Sequence, residues 1–291
     1  MSRRIAVLLI PTSGAELWRA AFREACSISG FSYLEAAPAD TVEGDSLLLS
    51  EDPQQGMGWY ADTWHVVGTS VEDAFSASLD WIGEEGAAAR YVANRLATAD
   101  MLCRRVGATV EFGTTQTVPG VGRVSIGSET LSADEGKNER HWLKPLEDIY
   151  SSLPVDSRTR ASFGHEWFSS QTSDVASQGR LDLQGKARLL FAGPKMDIGP
   201  GRWALSIALE YKGSTQPTVV RIHLMGQSAT KDLVEELVRP GVYELTMDQN
   251  ISMIASVGVE IHLERAALFG KLSILRCEIR HLSDGGARRE G

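Results

Sequence analysis

The segment Thr12-Ser13-Gly14 lies between a short apolar run and a stretch with helical periodicity. Backbone N–H groups at the first turn of a helix bind phosphate well, because they are unpaired and lie at the positive end of the helix dipole. The segment therefore predicts a phosphate-binding turn, of the kind that a sugar or sugar-nucleotide transferase would use. Ser13 and Glu16 also have the spacing of a capping box.

Two aromatic pairs, Trp59-Tyr60 and Trp64-His65, form a local group. A pyranose presents a face of C–H groups that packs on an aromatic plane, so exposed rings are typical of sugar-binding sites. We predict that these four residues line a ligand site near the carboxyl ends of parallel strands, where open α/β sheets bind ligands. The alternative is that the rings belong to the core and anchor loops.

Basic residues recur in the last third of the chain: Arg188, Lys195, Arg202 and Arg221. Of these we predict that Arg202 and Arg221 contact an anionic sugar or an acidic partner. Scattered solvated charges are the alternative interpretation.

The histidines offer little for catalysis. His165-Glu166 places a base beside a carboxylate that could orient it, and His141 stands beside Trp142. Adjacent residues of a strand point to opposite faces, however, and no serine or cysteine nucleophile stands in a recognisable elbow. We predict surface or packing histidines and assign no catalytic residue.

Nucleotide and phosphoacceptor motifs are incomplete. Gly120, Gly122 and Gly127 are followed by a β-branched run and not by a helix, so they predict a structural turn, and no Gly-Lys-Ser/Thr occurs.

Asp52, after the third predicted strand, stands where a receiver domain carries its phosphoacceptor. The acidic pair that would bind magnesium is missing after the first strand, which ends in Ile10-Pro11. We predict no cofactor.

Three well-separated cysteines, with no CxxC pair and no Cys/His cluster, predict reduced thiols and no metal site. The apolar stretch Ile5 to Ile10 is too short for an export signal, and no run approaches the roughly 18 residues that a membrane span needs. These features predict a cytoplasmic protein.

Length and charge indicate two domains. The chain has 291 residues and a net charge of −9, which argues against a nucleic-acid partner. The surplus of acidic residues is unevenly distributed. Residues 1–110 hold 8 basic and 15 acidic residues, whereas residues 181–291 hold 14 basic and 13 acidic residues. We predict an acidic α/β domain over 1–150, a connector over 151–180, a β-sandwich over 181–283 and a flexible tail over 284–291.

The front third alternates strand and helix patterns, which predicts an open α/β domain with a mostly parallel sheet. The apolar runs at 5–10, 31–34, 46–49 and 64–67 are the strands, and a long helix covers 84–106. We predict that residues 109–112 and 122–126 pair as a hairpin through Pro119-Gly120.

The last third consists of short alternating segments, which predict an antiparallel jelly-roll sandwich. Trp203 shares one face of the clearest strand with Leu205 and Ile207, so it belongs to the core. Residues 229–238 fit either a strand or a helix. The predicted strands are 187–192, 203–211, 219–225, 242–247, 257–263 and 271–281.

A resemblance rests on three features of this region. They are the turn from Gly193-Pro194 to Gly201-Arg202-Trp203, the turn and strand at Pro240-Gly241, and the closing strand pattern from Gly258 to Ile279. The region, about 100 residues, resembles jelly-roll carbohydrate-binding modules and accessory sandwich domains of bacterial surface-polysaccharide synthesis proteins. The resemblance implies a glycan context and no shared active site. The N-terminal part resembles no family that we recognise.

The leading hypothesis is a non-catalytic accessory or binding protein of bacterial surface-polysaccharide synthesis or secretion, whose sandwich docks a glycan or a partner enzyme. The alternative is a sugar or sugar-nucleotide transferase that uses the α/β domain. A third is a homo-oligomer in which the sandwich merely self-associates.

Overall fold

The computed structural model describes residues 2–36, 43–127, 140–170, 179–213, 218–225 and 231–282. The chain divides into two compact units between Leu143 and Lys144. The first has a parallel sheet with helices and the second has two antiparallel sheets, which confirms the predicted fold class. No helix among these residues is long and apolar enough to span a bilayer.

The first unit begins with the predicted strand–helix alternation. Its elements are β1 (Arg4–Leu9), α1 (Ala15–Ser29), β2 (Ser32–Leu34), β3 (Ser46–Ser50), α2 (Pro53–Gly58), β4 (Thr63–Gly68), α3 (Val71–Ile82), α4 (Glu85–Val106), β5 (Thr109–Phe112), β6 (Thr115–Val118) and β7 (Gly122–Ser125).

The sheet of this unit has the order β2-β3-β1-β4-β5, and all its pairings are parallel. The continuous apolar run of β1 forms the central strand because both faces of a parallel sheet are covered. One face packs against α1 and the β6–β7 hairpin in a core that includes Val7, Leu49, Val67, Phe22 and Val124. The other face contacts α2 and α4.

Helix termini follow the sequence signals with one correction. Gly30 ends α1 in the left-handed conformation, with φ of 77°, and the Ser70 hydroxyl caps α3 by accepting from the N–H of Asp73 at 3.1 Å. The predicted capping box at Ser13 is wrong. Gly14 is the N-cap of α1, without a side-chain cap, because the Ser13 hydroxyl is bonded to Asp73 instead.

The predicted hairpin is also corrected. Residues 109–112 do not pair with 122–126; they form β5, which extends the parallel sheet beside β4. The hairpin joins β6 to β7, and Gly120 and Gly122 adopt positive φ at its turn. A four-residue strand carries too little pattern to distinguish a parallel from an antiparallel partner. The expected structural turn of the glycine-rich segment is confirmed.

The second unit follows a 3₁₀ turn at His141–Leu143. Its elements are α5 (Lys144–Tyr150), β8 (Arg160–Phe163), a 3₁₀ turn (His165–Trp167), β9 (Arg180–Asp182), β10 (Arg188–Ile198), β11 (Gly201–Lys212), β12 (Thr218–Met225), β13 (Lys231–Leu237), β14 (Gly241–Ile251), β15 (Ala255–Leu263) and β16 (Lys271–Leu282).

Two antiparallel sheets form the sandwich. One has the order β10-β15-β12-β13, and the other has the order β14-β11-β16-β8, with β9 also paired to β16. Along β11 the alternate residues from Trp203 to Tyr211 are buried, as the pattern predicts. The indole N–H of Trp203 donates to the carbonyl of Gly199 at 3.1 Å, so its polar atom is satisfied.

The predicted connector is structured where it is described. Within 151–180, β8 pairs with β16 along Arg160 to Phe163, so these four residues belong to a sheet of the sandwich. The predicted bounds of the connector stay a prediction. The ambiguous segment 229–238 contains a strand, β13, because it pairs with β12. The predicted tail over 284–291 lies outside the described residues.

Candidate functional site

A cluster of polar side chains lies at the carboxyl ends of β1 and β4. Asp73, in the first turn of α3, accepts hydrogen bonds from the hydroxyls of Thr12 and Ser13 at 2.6 Å each. It also accepts from the hydroxyl of Thr69 at 2.7 Å. The cluster occupies the switch point of the sheet, where the connection after β1 leads to β2 on one side and the connection after β4 leads to β5 on the other.

The donors that would bind phosphate are already hydrogen-bonded, most of them to Asp73. The Ser13 N–H donates to its carboxylate at 3.3 Å, and the Gly14 N–H donates to the Thr12 hydroxyl at 3.1 Å. Since the carboxylate is an anion, a phosphate in the same place would be repelled. Phosphate binding by Thr12, Ser13 and Gly14 therefore requires displacement of Asp73 and stays a prediction.

The neighbouring acidic residues have structural contacts. The Asp52 carboxylate caps α2 by accepting from the N–H of Gln54 at 3.0 Å. Glu51 pairs with Arg19 of α1. The position that a receiver domain would phosphorylate is thus engaged in a helix cap.

The aromatic group lies at the opposite edge of the sheet from the one expected. Trp59 and Tyr60 precede β4, and Trp64 and His65 are its second and third residues, so all four lie toward the amino end of that strand. The placement near the carboxyl ends is corrected, because the local grouping of aromatic residues does not reveal where β4 begins.

Burial separates the four aromatic-group residues. Trp59, Trp64 and His65 are buried, whereas Tyr60 is 82% exposed and has a left-handed φ of 57°. The Trp64 ring packs so tightly on α2 that a Cβ on Gly56 would lie 2.4 Å from it. Trp59 and Trp64 therefore anchor α2 and the β4 entry, and only Tyr60 is freely accessible. Ligand binding by the group stays a prediction.

His65 is a buried titratable group in the central sheet. It stands opposite Val7 on one neighbouring strand and Thr109 on the other. Burial lowers its pKa, and the nearby Glu111 carboxylate opposes that shift. This environment favours the neutral imidazole and a packing role.

The other histidine groupings show no nucleophilic geometry. His165 Nδ1 lies 3.6 Å from a Glu166 carboxylate oxygen, and both side chains are partly exposed. Trp167 packs edge-on against Phe163, with ring centroids 5.3 Å apart. Among the described residues, no group of three His, Cys, Asp or Glu side chains could hold a metal ion.

Arg202 and Arg221 lie on different outer faces of the sandwich. Arg202 precedes the buried Trp203 on β11 and pairs with Asp248 at 2.7 Å. Arg221 follows the buried Val220 on β12 and pairs with Glu264 at 3.0 Å. Because β11 and β12 belong to different sheets, the two guanidiniums do not contribute to one site.

The outer face of the five-stranded sheet, here called the polar face, has a regular pattern. Its middle strand, β11, directs the small residues Ala204, Ser206 and Ala208 outward, and of these only Ser206 is not fully buried. One flanking row, on β14, consists of Asp248, Thr246 and Glu244, and the opposite row, on β16, consists of Arg280, Glu278 and Arg276.

Contacts across the polar face link these rows. Arg276 reaches Glu244 at 2.7 Å, across Ala208. The Ser206 and Thr246 hydroxyls lie 2.8 Å apart. A bulge in β16 between the partners of Ala208 and Leu209 leaves Leu275 exposed beside Arg276. The face therefore combines planar charged groups, hydroxyls and an apolar side chain.

One exposed aromatic residue was missed by sequence analysis. Trp81, at the end of α3, is 65% exposed and packs edge-on against Tyr91, with ring centroids 5.1 Å apart. The helical spacing of Trp81 assigns it to the buried stripe of α3. The last buried residue of α3 is Ser78, however, and the helix ends one turn later at Gly83. The helix-stop signal at Gly83 was the only feature of the sequence that indicated exposure of Trp81.

No protein-family profile and no curated protein matches the chain. Solved structures do match. A family 16 carbohydrate-binding module has 8% identity and a TM-score of 0.26, over 33% of this chain and 73% of that one. The CBM22-1 xylan-binding domain from Paenibacillus barcinonensis has 13% identity and a TM-score of 0.27, over 44% and 89%.

A glycosylation-associated protein complex from Streptococcus agalactiae covers more of the chain, 87%, with 10% identity and a TM-score of 0.30. The match spans 49% of that chain. Carbohydrate-binding modules, which the sandwich is predicted to resemble, are thus among the solved structures similar to this chain.

Proposed function

We propose that the protein is a non-catalytic binding protein whose sandwich docks a glycan on the polar face, as an accessory to bacterial surface-polysaccharide synthesis or secretion. One observation carries the proposal: Ala204, Ser206 and Ala208 form a row of small side chains between two rows in which five of the six residues are charged. The chemistry of that arrangement suits an extended polyhydroxylated chain.

The small residues matter because alanine is a poor strand former. Outward-facing positions of a central strand favour β-branched or aromatic side chains, which cover the neighbouring strands. Ala204 and Ala208 are only 3% and 8% exposed, so longer neighbouring side chains already cover them, and a ligand would reach this row where those side chains move aside. Strands lie about 4.8 Å apart, so the charged rows are about 10 Å apart, wide enough for one sugar chain.

The flanking groups can recognise sugar hydroxyls. Planar carboxylates and guanidiniums form paired hydrogen bonds, which match two adjacent hydroxyls of a pyranose. Leu275 offers an apolar surface for the C–H face. The Arg276–Glu244 pair closes over Ala208, but both side chains are about half exposed, and such pairs contribute only about 0.5 kcal/mol. A ligand can therefore replace it at little cost.

A glycan array probed with the full chain tests this proposal. A glycan that is retained should bind at least tenfold more weakly to Ser206→Phe, which fills the row of small residues with a good strand former. Glu236→Phe is the matched control, because it places the same side chain on the outer face of the other sheet. Absence of any retained glycan, or equal binding by Ser206→Phe, would contradict the proposal.

The two arginines predicted to contact a ligand lie on different sheets, so they have different expected roles. Arg202 borders the polar face, so Arg202→Ala should weaken the same glycan. Arg221 lies on the opposite sheet, and its contact with an anionic ligand is a separate prediction. A partner enzyme would compete with the glycan if it docks on the same face. Turnover of an activated sugar by the purified chain would contradict the non-catalytic role.

The transferase alternative has one observation in its favour, since the Thr12–Ser13–Asp73 cluster lies at the switch point where α/β sheets bind ligands. On that hypothesis Ser13→Phe abolishes binding of a phosphate ligand, and unchanged affinity contradicts it. The hydrogen-bonded Asp73 carboxylate makes it the weaker hypothesis.

Two further parts of the proposal concern the cellular location of the protein and its self-association. We place the protein in the cytoplasm, which agrees with the three free cysteines. Self-association through the sandwich is the third hypothesis, and light scattering over a dilution series tests it.

A further inference from the structure

The loop between β15 and β16 exposes two adjacent apolar side chains. Leu268 is 61% exposed and Phe269 is 63% exposed. We call this pair the apolar tip. Single exposed apolar residues are ordinary on protein surfaces, but a bulky adjacent pair at the end of a sandwich has an energetic cost in water unless something covers it.

The loop that carries the apolar tip is held by backbone hydrogen bonds. Ala267 and Gly185 exchange two of them, at 2.9 and 3.0 Å, and the Leu183 N–H donates to the carbonyl of Gly270 at 2.8 Å. Gly270 itself has a positive φ of 128°. Because the loop is already ordered, little conformational entropy is lost when the tip docks.

Basic residues are frequent in the two paired loop segments that carry the tip. The two loop segments, residues 183–188 and 264–271, hold four cations and one carboxylate. The carboxylate, Glu264, is paired with Arg221. Asp182, just before the first segment, is the cross-strand neighbour of Lys271 and adds a second carboxylate, so cations still exceed carboxylates here in a chain whose net charge is −9. The cations are Lys186, Arg188, Arg265 and Lys271.

We propose that the apolar tip inserts into the interface of an anionic lipid bilayer while the cations of these segments contact the headgroups. Apolar side chains beside Lys and Arg are the combination that binds such surfaces reversibly. A protein partner would need about 800 Å² of complementary surface on each side. Two side chains at a loop offer much less than that, whereas a bilayer accepts a small inserted tip.

Vesicle co-sedimentation of the full chain tests this proposal. The protein should sediment with phosphatidylcholine vesicles that contain phosphatidylglycerol, less so at high salt, and not with phosphatidylcholine alone. Leu268→Ser combined with Phe269→Ser should lower the partition coefficient about tenfold or more. Lys186→Ala combined with Lys271→Ala should lower it by about tenfold.

Met253→Ser is the matched control. Met253 is also an exposed apolar loop residue, but it lies at the opposite end of the sheet from the tip. Ile251, just before it, pairs with the start of β11, whereas Lys271, just after the tip, pairs with the end of β11. The control should bind vesicles as the parent does. Circular dichroism of each variant verifies folding.

Several results would overturn the proposal: no sedimentation with anionic vesicles, equal sedimentation with neutral ones, or full binding by the Leu268→Ser/Phe269→Ser variant. A dimer in light scattering that this variant dissociates would assign the tip to a second copy and overturn it too. Glycan retention by the same variant tests the polar face separately, so failure of one proposal is distinguishable from failure of the other.

Discussion

Thr12 Oγ1 lies 2.6 Å from Asp73 Oδ2, which ties the end of the first strand to the first turn of α3. The same carboxylate accepts from Ser13 and Thr69, so one side chain joins the loops after β1 and β4. These loops diverge at the switch point of the sheet. The place where an α/β domain commonly binds a ligand is here closed by an internal carboxylate.

Asp73→Ala should destabilise the first unit by about 2–4 kcal/mol, because three hydroxyls lose a charged acceptor. Urea unfolding of the full chain, followed by circular dichroism, measures the change. Asp80→Ala is the control, since Asp80 is an exposed carboxylate on the same helix. Equal stability of the two variants would show that the cluster does not hold the loops together.

Gly56→Ala should destabilise the protein by about 1–3 kcal/mol, because the new methyl group would overlap the Trp64 ring at 2.4 Å. Gly58→Ala, in the same helix, adds its methyl to open space and should be neutral or slightly stabilising. Thermal unfolding of the pair separates crowding from helix propensity. A Gly56→Ala variant as stable as Gly58→Ala would contradict the close packing.

Stability of the first unit should fall as the pH drops below about 6.5, the ordinary pKa of histidine. Burial lowers the pKa of folded His65, so in this range the unfolded chain binds a proton that the folded chain resists. The stability that neutral His65 contributes is fully present above the pKa of histidine in the unfolded chain. It is lost as the pH falls from that value through the lower pKa of folded His65.

Hydrogen exchange of β4 peptides at pH 7.5 and 5.5 measures this loss of stability. His65→Gln should show a smaller difference between the two pH values than the parent chain. The control is His165→Gln, which removes an exposed histidine and should leave the difference unchanged. If His65→Gln behaves as the parent does, another group causes the pH dependence.

The three thiols should react slowly with thiol reagents at pH 8. Burial raises the pKa of Cys26 and Cys103 to about 11 and that of Cys277 to about 12, and only the thiolate is nucleophilic. Unfolding in urea should expose all three. Cys103→Ser should remove most of the residual native reaction, because only Cys103 is partly accessible. Rapid labelling of the native chain would contradict this prediction.

Local pattern was sufficient for most elements and insufficient for their partners. The apolar run at 5–10 and the helical stretch at 84–106 predicted a strand and a helix correctly, since both depend on residues close in sequence. The pairing of β5 with β4 was missed, because four residues fit a parallel edge as well as a hairpin. The Ser13 capping box failed because a distant carboxylate competes for the hydroxyl.

Site residues show the same division. The sequence by itself determined the strand–helix alternation, the buried stripe of β11 and the sandwich class, because periodicity of apolar residues directly reflects which face is covered. Only the tertiary structure decided that Trp64 is packed on Gly56 while Trp81 is exposed, and that Arg202 and Arg221 lie on opposite sheets. Exposure and convergence depend on where helices end and which strands pair, and those choices are made by residues far apart in the chain.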